Sequence, residues 1–458
     1  MTITFHGLDT TSYGNQRFHF LRAVEDYVPS AYLDSNNIPS IGIGYNLTDA
    51  TVRGAVFSQI LGSNPPAGLT SDLTNIINQN WSAGGDVAGA LNAKMAQYHT
   101  TTPSVPATFA FTSETQAHNV FDVIAPNYEA TLDNKIGGID VSVERVSLIS
   151  LVYNNPVLVG NGLINALYSG DRAEAWWEIR YNDNGGGGSL GIAKRRYYEA
   201  DNFSLYNHDV PTKDEAIQIA EMFGRHKGST VSDVHSIIGY EGLYHNQVGL
   251  ANSDYGTTVV KTLADDLQPA IDKLKSIYAP DADIHEIQAV YKPAGSSTVT
   301  HHLYGDLSGE STTTQNDLLI GNADSDTLEG MQGNDVLIGK GGNDSLLGGA
   351  GDDTLAPGST QGSFDGGTGN DLLTFRDVSA ALTLDMTTGS ASGGGNTATA
   401  TGIELLGGGS GADTITGANT AMTIGGGAGS DSVTGGSAGD LLYSFWNNAK
   451  LGAIYAAE

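Results

Sequence analysis

Residues Gly330–Ala356 read GMQGNDVLI, GKGGNDSLL and GGAGDDTLA, three nonapeptides in direct succession. A fourth copy, GGTGNDLLT, stands at Gly366–Thr374. The register extends in both directions. Asp317, Asp326, Asp335, Asp344 and Asp353 are nine apart, and Asp371 follows at twice nine. A second run places Asp413, Asp431 and Asp440 at multiples of nine, in GGSGADTIT, GGAGSDSVT and GGSAGDLLY. Two positions after these Asp come apolar residues such as Leu337, Leu346 and Leu355. A fixed short period of this kind is the mark of a stacked repeat. A disordered Gly/Asp-rich tail would not keep an apolar residue in register with each carboxylate.

The chemistry follows from the spacing. Each unit holds a Gly-rich turn and a short strand around one apolar residue, so stacking gives a thin apolar column. Asp carboxylates and backbone carbonyls exposed at Gly-rich turns are hard oxygen ligands, suited to Ca²⁺. The pattern resembles the RTX nonapeptide, G-G-x-G-x-D-x-U-x, a calcium-binding β-roll repeat. That resemblance makes Asp317, Asp326, Asp335, Asp344, Asp353, Asp371, Asp413, Asp431 and Asp440 the candidate calcium ligands. Two units lack the acid, with Gly362 and Met422 in its place. Residues 375–406 lose the pattern but stay strand-forming, which predicts two calcium-loaded blocks joined by β-helix-like turns with few or no ions.

Composition agrees with this division. Residues 306–458 hold 33 of the 61 Gly and carry −16 of the net charge of −30. The absence of Cys excludes disulfides, thiolate metal sites and a Cys nucleophile. The acidity argues against nucleic acid as a partner and favours cations or a neutral substrate. No apolar run reaches the ~18 residues of a membrane span. The opening MTITFHGLDTTSYGNQRFHF lacks the basic and apolar regions of a cleaved signal peptide.

The concentrated catalytic signature lies near the start. Glu25, in RFHFLRAVEDYVP, ends an amphipathic helical pattern. Nine residues on comes Asp34, in AYLDSNNIPSIGIGYNLT, and six further Ser40 opens SIGIGY, whose alternation and paired Gly predict a hairpin. Glycoside hydrolysis needs one acid to protonate the leaving oxygen and a second group to hold or activate a nucleophile. Partial burial of Glu25 beside Ala23 and Val24 would favour its protonated form.

Helix-terminal Glu, nine residues to Asp, six to a hydroxyl and then IGxG resembles the active-site run of phage-type lysozymes, the endolysin muramidases. Ser40 stands where the family has Thr, and Tyr45 where it has His. A second block, LISLVYNNPVLVGNGLINALYSGDRAEAWWEIRYND, resembles the family's later helices, and GIAKRRYYEADNF its closing helix. The resemblance implies catalysis by Glu25, Asp34 and Ser40 with inversion, and a sugar-lining role for Asn154, for which a helix-terminal cap is the alternative. Some members place an Arg near the Glu from the closing helix. Ile192 aligns there, with Arg195 and Arg196 close by.

The expected architecture is multidomain. A mainly α lysozyme-like α+β domain with a small β-hairpin takes 1–207, at a charge of −8, and a helical/mixed middle segment of unknown role takes 208–305. A parallel β-roll takes 306–445 and a C-terminal secretion signal 446–458. In the middle segment, amphipathic helices are expected near DEAIQIAEMFGRHK and TTVVKTLADDLQPAIDKLKSIY, and a strand at IHEIQAVYKPAG. The second helix should bury Val260, Leu263, Leu267, Ile271 and Leu274. The G-x-S-x-G match at Gly187–Gly191 reads as a flexible loop, His301 and His302 as exposed linker, and Trp176 and Trp177 as core. The function expected is an exported peptidoglycan muramidase with Ca²⁺ as cofactor. Its partners would be peptidoglycan or a related chitin-like β-1,4 glycan, a type I export channel and an immunity protein. The competing expectation is a non-catalytic, calcium-dependent glycan-binding adhesin on the same scaffold.

Overall fold

The computed structural model describes residues 3–182, 190–226, 236–248, 263–278, 284–289, 302–304 and 316–443. The G-x-S-x-G stretch up to Ser189, Val260, His301 and the tail 446–458 lie outside them. The chain divides into two compact units, Met1–Leu205 with Asn246–Lys261, and Tyr206–His245 with Thr262–Glu458.

The first unit is helical around one small sheet. Helix α1 (Thr10–Glu25) starts where the Asp9 carboxylate accepts the N–H groups of Thr11 and Ser12. It stops at Glu25, because Asp26 turns out of the helix at φ 59°. Strands β1 (Val28–Leu33), β2 (Pro39–Gly42) and β3 (Tyr45–Asn46) then form an antiparallel sheet, with Tyr32 opposite Ser40 and Ile41 opposite Tyr45. Gly42 has φ +70°, and a Cβ there would stand 2.8 Å from the Tyr45 ring. Tyr45 is buried and donates its hydroxyl to the Ala117 carbonyl at 2.7 Å, so it acts as a core post under the sheet.

After the sheet the chain folds as α2 (Ala50–Leu61), α3 (Leu69–Ile77), α4 (Val87–Thr101) and α5 (Glu114–Ile136). Phe18 and Leu21 of α1 join Ile41, Ile43, Val56, Leu73, Leu91 and Phe121 in one core. Helices α6 (Val143–Asn154), α7 (Asn161–Ser169), α8 (Arg172–Trp177) and α9 (Leu190–Phe203) complete the unit. Trp176 and Trp177 are buried, as their helical spacing suggests.

Three further helices are α10 (Lys213–His226), α11 (Ile237–Val248) and α12 (Leu263–Tyr278). The sequence reading did not anticipate α11. In α12, Leu267, Ala270, Leu274, Ile277 and Tyr278 are buried, while Leu263 and Ile271 are half-buried. Tyr278 and Lys213 both hold Asp377, and Lys340 pairs with Glu221 of α10. These contacts tie α10 and α12 to the repeat region within the second unit.

The repeats form a parallel β-solenoid of eighteen residues per coil, two nonapeptides each. One sheet stacks Val336–Ile338, Thr354–Ala356 and Leu372–Thr374, with Leu337, Leu355 and Leu373 in register. The other stacks Thr327–Gln332, Asp344–Ala350 and Gly362–Thr368, with Leu328, Leu346 and Phe364 in register. All six side chains are buried in one column, each contributing roughly 2 kcal/mol by leaving water. Both sheets take strands from before residue 306: Ile284–Ala289 pairs with Asn316–Ile320, and His302–Tyr304 with Thr327–Gln332. His302 therefore belongs to a strand and not to a linker.

The interruption differs from the β-helix-like turns expected over 375–406. In the first sheet Leu372–Thr374 pairs in parallel with Leu405–Gly407, so that sheet runs on unbroken. In the second sheet Leu382–Asp385, Ser390–Gly393 and Asn396–Thr401 form an antiparallel meander. Its outer strands resume parallel pairing with Gly362–Thr368 on one side and Thr414–Thr416 on the other. Turn residues at Thr387–Gly389 and Gly394–Gly395 reverse the chain, with Gly389, Gly394 and Gly395 at positive φ.

Candidate functional site

The stack sorts the repeat carboxylates onto two edges. Along one, the N–H groups of Asp317, Asp335 and Asp353 donate to Oδ1 of Asp335, Asp353 and Asp371, at 2.8 Å each. Along the other, the Asp326 N–H donates to Asp344 Oδ1 at 3.0 Å. In the second block the Asp413 N–H donates to Asp431 Oδ1 at 3.0 Å, and the Met422 N–H to Asp440 Oδ1 at 2.9 Å. Each accepting Asp thus spends one oxygen on the coil before it and turns the other toward its own Gly turn.

That second oxygen meets a carbonyl from the next coil. A Cβ placed on Gly348 would stand 2.4 Å from Asp353 Oδ2 and 2.5 Å from the Gly366 carbonyl oxygen. The same pair surrounds Gly330, formed by Asp335 Oδ2 and the Gly348 carbonyl at 2.4 and 2.5 Å. At Gly339 the pair is Asp344 Oδ2 and the Pro357 carbonyl, at 2.4 and 2.9 Å. A carboxylate and a carbonyl oxygen therefore converge at the first Gly of each of these units. Among the described residues no group of three or more His, Cys, Asp or Glu forms a metal cluster. The donor set is one carboxylate per turn plus main-chain oxygen, the set that suits Ca²⁺.

Asp344 shows why the array suits a cation. It is buried, and no donor among the described residues reaches its Oδ2. Burial, and then the negative charge of Asp326, push its carboxyl up to about 8. Asp413 is raised in the same sense by burial and by Asp431. An ordered cation would reverse both effects, because it supplies the counter-charge the site is built around. Asp317, Asp326, Asp335, Asp344, Asp353, Asp371 and Asp413 are buried, and Asp431 and Asp440 are half-buried.

The first unit holds the second site. Glu25, at the last turn of α1, is ion-paired to Arg195 of α9. Arg195 also holds Glu199 at 2.9 Å and donates to the Ser150 carbonyl at 2.7 Å. Arg196 turns instead to Glu199 and to Asn154 Oδ1, the latter at 2.8 Å. Of the three positions left open in the closing helix, Arg195 is the one at Glu25, while Ile192 is exposed. Glu25 is half-buried, and it carries this ion pair in addition, which the sequence reading did not include.

Asp34 follows directly on β1, and its Oδ1 accepts the N–H groups of Asn36 and Ile38 at 2.8 and 2.9 Å. It thereby closes its own loop. Ser40 is buried in β2, and its Oγ donates to the Ile38 carbonyl at 3.3 Å. Tyr32 stands across from Ser40 in the sheet. Burial raises its hydroxyl pKa, as do the negative charges of Glu25, Asp34 and Asp26. Burial also raises Tyr128, with help from Asp49 and Glu25. Asn154 ends α6, is exposed, and is held by Arg196. Sequence reading gave neither Tyr128 nor Glu199 a role: Tyr128 carries no spacing signal, whereas Glu199 closes the R-R-x-x-E run that starts at Arg195, one helical turn away.

The coil geometry and its oxygen sites define a calcium-binding β-solenoid. The repeat itself is the RTX calcium-binding nonapeptide repeat: the four-copy profile of that family matches residues 311–337 and 329–359. These repeats bind Ca²⁺ and are typical of secreted proteins. The chain has no match among curated proteins. No helix of the described residues is long and apolar enough to cross a membrane.

Proposed function

We propose that the chain is an exported muramidase whose repeat region is folded by calcium. The observation that carries the reading is the helix-terminal Glu25, met by Arg195 and followed by a hairpin with Asp34 in its loop and Ser40 on its second strand. Glu25 protonates the glycosidic oxygen as the bond to the leaving sugar breaks. Asp34 and Ser40 hold the water that attacks the opposite face, and the Asp34 carboxylate accepts the water's proton, giving inversion. The bond cut is the β-1,4 link between N-acetylmuramic acid and N-acetylglucosamine. Export uses a type I channel read from the tail 446–458, and an immunity protein protects the producer. Calcium outside the cell drives the roll to fold.

The test is digestion of purified peptidoglycan by the calcium-loaded protein, with products identified by mass. Released muropeptides with reducing N-acetylmuramic acid ends are expected, and Glu25→Gln should lower the rate by about 10²–10⁴-fold. Uncut strands, or equal cleavage by Glu25→Gln, would overturn the assignment. One observation favours a second reading, a calcium-dependent glycan-binding adhesin: Asp34 and Ser40 both spend hydrogen bonds on their own loop. Retention on cell walls without product release would select it.

A further inference from the structure

Column by column, one edge of the solenoid carries Asp317, Asp335, Asp353 and Asp371, each accepting from or donating to its neighbour eighteen residues away. Eighteen residues beyond Asp371 the register reaches Gly389, which has no carboxylate, so the antiparallel meander should end this row. Instead, the Asp371 N–H donates to Glu404 Oε2 at 3.0 Å. Glu404 thus takes the role that Oδ1 of the next Asp takes elsewhere, at a spacing of 33 residues. The sheet register agrees, with Leu372 opposite Leu405 and Leu373 opposite Leu406.

The converging oxygens are preserved as well. A Cβ on Gly366 would stand 2.0 Å from the Gly402 carbonyl oxygen and 2.8 Å from Asp371 Oδ2. This is the carboxylate–carbonyl pair seen at Gly330 and Gly348, with Gly402 supplying the carbonyl from beyond the meander. One coil later the position falls to Met422, whose N–H donates to Asp440 Oδ1.

Resting on the calcium reading of the repeats, we propose that Asp371, the Gly402 carbonyl and Glu404 form a calcium site at the seam. Glu404 is its unassigned ligand. The row on this edge then crosses the interruption and breaks one coil beyond it, at Met422. A long carboxylate replaces Asp because residues 402–404 span, between the paired positions Thr401 and Leu405, what 366–371 span between Asp365 and Leu372, with three residues fewer.

The test counts calcium bound by the full chain, by equilibrium dialysis against Ca²⁺, for wild type, Glu404→Gln and the surface control Glu114→Gln. Gln keeps an oxygen for the Asp371 N–H, and circular dichroism in saturating Ca²⁺ checks that the roll is intact. The proposal expects Glu404→Gln to lose one ion per chain, or to weaken one site at least roughly tenfold, with the β signal kept. Unchanged number and affinity would overturn it, as would loss of all ions together with the β signal, which would make Glu404 a structural residue. A wild-type chain that binds no Ca²⁺ would instead overturn the calcium reading itself.

Discussion

Asp344 ties the roll to its cation. Burial and the charge of Asp326 push its carboxyl up to about 8, so a roll without Ca²⁺ would have to take up a proton in its place, whereas an Asp in the unfolded chain titrates near about 4. Calcium keeps the ligand ionised in the folded chain, so the calcium-loaded fold loses stability as pH falls through about 4 and the unfolded carboxylates gain protons. The Ca²⁺ concentration at the folding midpoint, followed by circular dichroism, should therefore rise from about pH 5 to about pH 3. A midpoint unchanged over this range would contradict the assignment. In the first unit, Glu25, Asp34 and Ser40 were legible as candidates from spacing alone. Arg195 was not separable from Ile192 or Arg196. These residues lie within about one turn of the same helix, so the slide of α9 along α6 decides which side chain reaches Glu25. Sequence does not encode that slide locally.

At the scale of elements, the nine-residue period was fully readable because every coil repeats the same Gly turn and buried apolar residue. The places where it fails, at Gly362, Met422 and 375–406, were readable too, but the path of the chain across 375–406 was not. The meander at 382–401 keeps strand-forming residues while reversing their direction, and alternation carries no sign of direction. Glu404 was invisible because its spacing from Asp371 follows the meander instead of the repeat. Met331 and Lys340 occupy the second position of their turns at φ 77° and 65°, where other units place Gly. Lys340 keeps a use for its side chain in the ion pair to Glu221. The first Gly of a unit has a different reason, the close approach of two oxygens. Gly348→Ala should weaken calcium binding and destabilise the loaded roll by about 1–3 kcal/mol, measured by chemical unfolding in Ca²⁺. Gly439 has nothing within 4 Å of a Cβ, so Gly439→Ala should leave both unchanged. Equal effects at the two positions would deny the cradle its role.

At the scale of the whole molecule, more than half of the formal charge of −30 lies in residues 306–458, where carboxylates stack eighteen residues apart on two edges. Folding brings these charges together, and burial takes many of them out of water. Calcium bound at the converging oxygens offsets that repulsion, so ion binding and folding are one equilibrium. Helices α10 and α12 share the unit through Asp377 and Lys340, so their order should follow that of the roll. The chain needs no disulfide to hold it, in keeping with its lack of Cys. The central claim is that calcium folds this array, and a calcium titration of the full chain followed by far-ultraviolet circular dichroism tests it most directly. We predict a cooperative gain of β signal on addition of Ca²⁺, reversed by chelator. A β signal already complete in chelator, or one unchanged by Ca²⁺, would contradict it.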